Sequence, residues 1–77
     1  MKNQVIINWR QRSNLTQQEV ADKLQITRQQ YQSIEYGKSI PRLETAFSIQ
    51  LLIQLPIEQI FSGTFNRSYY NIFLRGL

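Results

Sequence analysis

Apolar residues recur along most of this chain at helical rather than alternating spacing, and the polar residues between them carry signals that start and stop helices. Val5, Ile6 and Trp9, followed by the polar Arg10, Gln11 and Arg12, predict a first helix over residues 3–13 anchored by Trp9. Thr16-Gln17-Gln18-Glu19 has the form of a capping box: the threonine hydroxyl accepts from the backbone N–H three residues on, and the glutamate reaches back. A second helix therefore starts here, with Val20, Ala21 and Leu24 on its apolar face and Ala21 small enough to admit another helix backbone. Gln25-Ile26-Thr27 interrupts it. Thr27-Arg28-Gln29-Gln30 then repeats the capping form with glutamine in place of glutamate, opening a third helix that turns Tyr31 and Ile34 inward. Gly37 ends that helix as a left-handed cap. Pro41 marks the approach to a fourth helix over residues 43–52, with Leu43, Ala46, Phe47, Ile49 and Ile53 as core positions. Pro56 begins a short fifth helix that ends near Phe61.

From Ser62 the character changes. Ser62-Gly63-Thr64 breaks the helix, and the remainder is aromatic and basic without an acid. Tyr70, Phe73, Leu74 and Leu77 fit one helical stripe, while the aromatic content suits a strand equally well; the helical reading is preferred. The division expected is a helical domain over residues 1–61 and a tail over residues 62–77, which is a disordered end, completes the monomer core or serves as a dimerisation segment.

The spacing within residues 15–36 is the informative feature. Two short helices joined by a tight turn set the second one protruding, so that its N-terminal half can enter a groove about 12 Å wide. Such a helix must offer polar, exposed residues there, and Arg28, Gln29, Gln30, Gln32 and Ser33 are all polar. Composition narrows the chemistry further. At 77 residues, with 42% hydrophobic and 18% charged, the chain can hold one compact core. The apolar run after residues 1–4 is cut short by Asn8 and Arg10, so neither a signal peptide nor a membrane span is expected, and the cytoplasm is. With no cysteine and no histidine there is no disulfide, no thiolate zinc site and no imidazole base, and the five acids are scattered. These absences argue against an enzyme, a metal site or a cofactor. The net charge of +4 points to an anionic partner, since Lys and Arg neutralise phosphates with release of counterions.

At these residues the sequence resembles the Cro/CI, or XRE-like, helix-turn-helix family of phage repressors and bacterial regulators. The resemblance runs over residues 6–61, and its most specific parts are LTQQEVADKL, Ile34-Glu35-Tyr36-Gly37-Lys38 and PIEQIF at residues 56–61. It implies an all-α, five-helix lambda-repressor-like domain that binds operator double-stranded DNA, usually as a homodimer on a palindromic site, and regulates transcription. Carried over position by position, Gln17 resembles the family glutamine that holds a phosphate and braces the recognition helix. Arg28, Gln29 and Ser33 match base-reading positions, with Gln32 more peripheral. Lys38 and Arg42 fall in the loop that approaches the phosphate backbone, and Arg10 and Glu35 match a partly buried ion pair. The chemistry agrees, because Arg pairs bidentately with guanine and Gln with adenine.

The chain departs from the family pattern at two turns. Gln25 and Gln54 stand where glycine is common, and Gln25 must take a positive φ with a Cβ present, at a cost of about 1 kcal/mol. Leu51 replaces a usually polar residue, so Leu51, Leu52 and Ile53 make the end of the fourth helix apolar nearly all round. Together with Tyr69, Tyr70, Phe73 and Leu74 of the tail, Leu51 and Leu52 are candidates for a dimer interface. The expectation is a repressor acting by operator occupancy, with no small-molecule ligand. The alternative is a protein-interaction module, such as an antitoxin or adaptor, that keeps the fold and docks through Tyr36, Leu51 and the tail.

Overall fold

The computed structural model describes residues 2–61, and every regular element among them is an α-helix. The helices are α1 (Gln4–Arg12), α2 (Gln17–Leu24), α3 (Arg28–Glu35), α4 (Leu43–Ile53) and α5 (Ile57–Ile60). The all-α, five-helix expectation holds over this part of the chain. The expected tail, with Tyr69, Tyr70, Phe73 and Leu74, lies outside the described residues.

Local chemistry sets where the helices begin. At α2 the Thr16 hydroxyl accepts from Glu19 N at 3.1 Å, and the Glu19 carboxylate accepts from Thr16 N at 2.9 Å. At α3 the Thr27 hydroxyl accepts from Gln30 N at 3.1 Å, and the Gln30 amide oxygen accepts from Thr27 N at 2.9 Å. Each box satisfies two N–H groups that a helix start leaves orphaned, and a cap of this kind contributes about 1 kcal/mol. The fifth helix starts one residue later than its sequence predicts: Pro56 has φ −58 but ψ 146, so it flanks the helix instead of opening it.

A left-handed residue follows each of the first four helices: Asn14 (φ 56), Gln25 (φ 59), Gly37 (φ 73) and Gln54 (φ 64). After α2, Gln25 N donates to Asp22 O at 3.1 Å and Ile26 N to Ala21 O at 3.0 Å. This is the reciprocal pattern of a Schellman motif, and it recurs at Gly37, where Lys38 N donates to Ser33 O at 2.8 Å. Only Gly37 adopts this backbone without a Cβ; the strain expected at Gln25 is present, at about 1 kcal/mol.

The core is formed by Ile6 of α1, Val20, Ala21 and Leu24 of α2, Tyr31 and Ile34 of α3, Ala46, Ile49 and Ile53 of α4, and Ile57, Ile60 and Phe61 at the end of the domain. Ala21 and Ala46 are completely buried, as the close packing of α2 against α4 requires. Trp9 is half-buried and anchors α1 against this cluster, and Leu43 and Phe47 are likewise half-buried, so these two flank the core that they were expected to form. Asn3 closes the domain. It is buried, its backbone N–H donates to Glu35 O at 2.7 Å, its Nδ2 donates to Ile60 O at 2.9 Å, and its Oδ1 accepts from Ile6 N at 3.1 Å. One side chain thus starts α1 and ties it to the ends of α3 and α5.

Candidate nucleic-acid interface

The α2–turn–α3 unit places α3 with one face in the core and the other in solvent. Tyr31, Ile34 and Glu35 are buried, while Arg28 and Gln29 are exposed and Gln32 and Ser33 half-buried. On a helix with 3.6 residues per turn, Gln29, Ser33 and Tyr36 share one outward stripe, and Arg28 and Gln32 form a second stripe beside it. Ser33 also lines a groove between α3 and the start of α4, together with Gln30 and Arg42. All four residues expected to read bases therefore come to one side of one element.

Behind that face lies a continuous polar network. Arg10 Nε donates to Glu35 Oε2 at 2.8 Å and Arg10 Nη2 to Glu35 Oε1 at 3.1 Å, a two-pronged pair joining α1 to α3. Arg10 Nη1 donates to Leu15 O at 3.1 Å, which fixes the α1–α2 loop as well. Gln17 Nε2 donates to Glu35 Oε1 at 3.0 Å, and the Tyr31 hydroxyl donates to Glu35 Oε2. Each carboxylate oxygen thus accepts two hydrogen bonds, a full complement for a charged group taken out of water. Gln17 Oε1 in turn accepts from Gln32 Nε2 at 2.8 Å. Gln17 thus ties the start of α2 to two side chains of α3.

Electrostatics follow from that geometry. Burial raises the Glu35 pKa, but the hydrogen bonds from Arg10, Tyr31 and Gln17 outweigh burial and hold it below the usual carboxylate range. The bond to Glu35 raises the Arg10 pKa against a smaller opposing effect of burial. Burial, reinforced by Glu35, raises the Tyr31 phenol strongly, so Tyr31 stays protonated and remains a donor.

Around this braced helix stand cations with no carboxylate at ion-pair range: among the described residues the salt bridge is Arg10–Glu35, leaving Arg28, Lys38 and Arg42 unpaired. Arg42 occupies the cap position of α4 with its side chain exposed, and Lys38 is exposed in the loop after α3. Lys2 is a further cation that sequence reasoning missed. Its ammonium lies 5.4 Å above the Tyr36 ring, at the C-terminal end of the outward stripe of α3. Its position depends on the Asn3–Glu35 backbone bond, which no local signal announces. Of the two α4 candidates for assembly, Leu51 is 74% exposed, whereas Leu52 packs half-buried against the core. No helix among the described residues is long and apolar enough to cross a membrane.

Comparison with known proteins agrees with this architecture. The helix-turn-helix family model matches residues 6–60. Over 48 residues the chain is 46% identical to MJ0272, an uncharacterized HTH-type transcriptional regulator of Methanocaldococcus jannaschii, covering 62% of this chain and 73% of that protein. Over 61 residues it is 33% identical to YqaE, an uncharacterized HTH-type transcriptional regulator of Bacillus subtilis, covering 79% of this chain and 53% of that one, so it spans about half the length of the latter. No solved structure gives a significant match. A family match over most of the chain, on a fold with the turn, the two capping boxes and the braced third helix in place, establishes that the chain belongs to the XRE-like helix-turn-helix family.

Proposed function

We propose that this protein is a sequence-specific transcriptional regulator that binds duplex DNA through α3. The observation that carries the reading is the braced outward face: Arg28 and Gln29 exposed at the N-terminal end of α3, held from behind by the Arg10–Glu35–Gln17 network. A side chain reads a base edge only if its helix is held in place, and phosphate contacts from Lys38, Arg42 and Gln17 would set that helix's register in the groove. The names of the two relatives, both HTH-type transcriptional regulators, support the same reading. Arg28, Gln29, Gln32 and Ser33 are assigned to base edges. Regulation is by operator occupancy, as a repressor, with no chemistry on the DNA and no cofactor.

One helix reads few base pairs, so the functional form proposed is a homodimer on a palindromic operator, with half-sites about 34 Å apart. The exposed Leu51 supplies apolar surface for a two-fold contact, together with Tyr69, Tyr70, Phe73 and Leu74 of residues 62–77. Leu51 also favours a second reading, in which the same fold docks another protein as an antitoxin or adaptor does. Selection from a random duplex library at near-physiological salt tests the proposal. Enrichment of a palindrome supports both DNA reading and symmetry, and a library that stays random assigns the fold to protein docking.

A further inference from the structure

Tyr36 and Lys2 are two outward groups that reading through α3 leaves without a task. Tyr36 closes the outward stripe that Gln29 and Ser33 begin, and 36% of its surface is exposed. The Lys2 ammonium lies 5.4 Å above the Tyr36 ring and, among the described residues, has no carboxylate at ion-pair range. The main chain holds Lys2 in that place. Its neighbour Asn3 is buried, donating from its backbone N–H to Glu35 O at 2.7 Å and from Nδ2 to Ile60 O at 2.9 Å. Lys2 therefore springs from a fixed point beside the end of α3, and the ring beneath its side chain narrows its freedom further. An aromatic face attracts an ammonium without exhausting its three donors, so Lys2 keeps N–H groups for an anionic partner.

Resting on the DNA reading given above, we infer that Lys2, on its Tyr36 platform, is a further phosphate-binding residue that takes a phosphodiester of the duplex backbone at the C-terminal end of α3. Arg28 and Tyr36 stand eight residues apart, a rise of about 12 Å on a helix, and the major groove is about as wide. A helix that sets its N-terminal half against base edges thus carries its other end towards the groove wall, where the phosphates stand. Lys2 lies outside residues 6–60, the stretch matched by the family model, so this contact belongs to residues that the shared fold does not supply. A purely structural role makes a different prediction. A cation beside the last turn of α3 favours the carbonyl end of the helix dipole, which aids folding and leaves DNA binding untouched.

The test is the salt dependence of the association constant for a mixed-sequence duplex, measured on the full chain. The variants are Lys2→Gln, Lys2→Arg, Tyr36→Leu and the Lys2→Gln/Tyr36→Leu double variant, with thermal melts to identify those that are folded. Lys2→Gln should make the log–log slope shallower by about 0.9 per bound subunit, and Lys2→Arg should restore it. Tyr36→Leu should weaken binding by removing the platform, and the double variant should lose less than the two single losses combined, because the residues act as a unit. An unchanged slope for Lys2→Gln overturns the inference, and a lower melting temperature in that variant then assigns Lys2 to the helix end alone. Losses that multiply independently in the double variant overturn the platform. A flat wild-type line removes the DNA reading itself, whereas a steep wild-type line with Lys2→Gln superimposed on it leaves that reading standing and removes only the Lys2 contact.

Discussion

Removing either member of the Arg10–Glu35 pair strands a charge that the fold has already taken out of water, since the side chains are only 15% and 2% exposed. Arg10→Met should therefore destabilise the domain by about 3–5 kcal/mol, whereas Arg12→Met, on the exposed end of α1, should change stability by no more than about 0.5 kcal/mol. Denaturant melts of the two variants check this, and equal midpoints would mean that water, not Arg10, solvates Glu35. The same residue sets a pH dependence. The pKa of Glu35 is lower in the folded state than in the unfolded chain, so its contribution is fully present above the unfolded carboxylate value of about 4.3 and is lost as pH falls through the folded value. Glu19, held low by its bonds to Thr16, acts in the same direction. Stability measured from about pH 7 down to about pH 3 should decline for wild type and decline less steeply for Glu35→Gln, although that variant starts lower. Parallel curves would assign the acid sensitivity to other carboxylates.

At the scale of elements, the turn between α2 and α3 fixes where the reading helix points, and it does so through a residue poorly suited to it. Gln25 sits at φ 59, a conformation that costs a residue with a Cβ about 1–2 kcal/mol and a β-branched one more. Gln25→Gly should raise stability by up to about 1 kcal/mol, the relief being partly offset by the extra freedom of glycine in the unfolded chain, and Gln25→Val should lower it by at least about 1 kcal/mol. Thermal unfolding orders the three proteins, and Val at or above Gln would contradict the left-handed assignment. The turn shows why much of the fold was legible in the sequence. Capping boxes and glycine caps are local, so Thr16, Thr27 and Gly37 announce their roles within a few residues, whereas the left-handed turn at Gln25 was legible only through the family pattern. The rest depends on pairs far apart in the chain. Asn3 reaches Ile60 across a separation of 57 residues, and Gln32 reaches Gln17 across 15, with nothing in either neighbourhood to mark them as partners. The Arg10–Glu35 pair was legible only through the family resemblance, and the Tyr31–Glu35 bond had only a helical spacing of four to suggest it. Trp9 packs against the core from its edge, while Ile6 and Phe61 are buried within it.

Among the described residues, unpaired cations surround the outward face of α3, and α4 carries an exposed leucine. Burying Leu51 in a two-fold contact would remove the largest apolar exposure among the described residues. Deleting residues 65–77 should leave the helical far-ultraviolet signal while shifting the protein to monomer and weakening operator binding. Sedimentation of a truncated protein that stays dimeric would move the interface onto the helices alone. Docking of α3 and its flanking cations on duplex DNA is tested most directly by the dependence of the association constant on salt. Each phosphate neutralised contributes a log–log slope of about −0.9, so contacts from several of Arg28, Lys38, Arg42 and Lys2 per subunit predict a steep line, shallower by about 1 for Lys38→Ala. A flat line for wild type, with Lys38→Ala superimposed on it, would contradict the account.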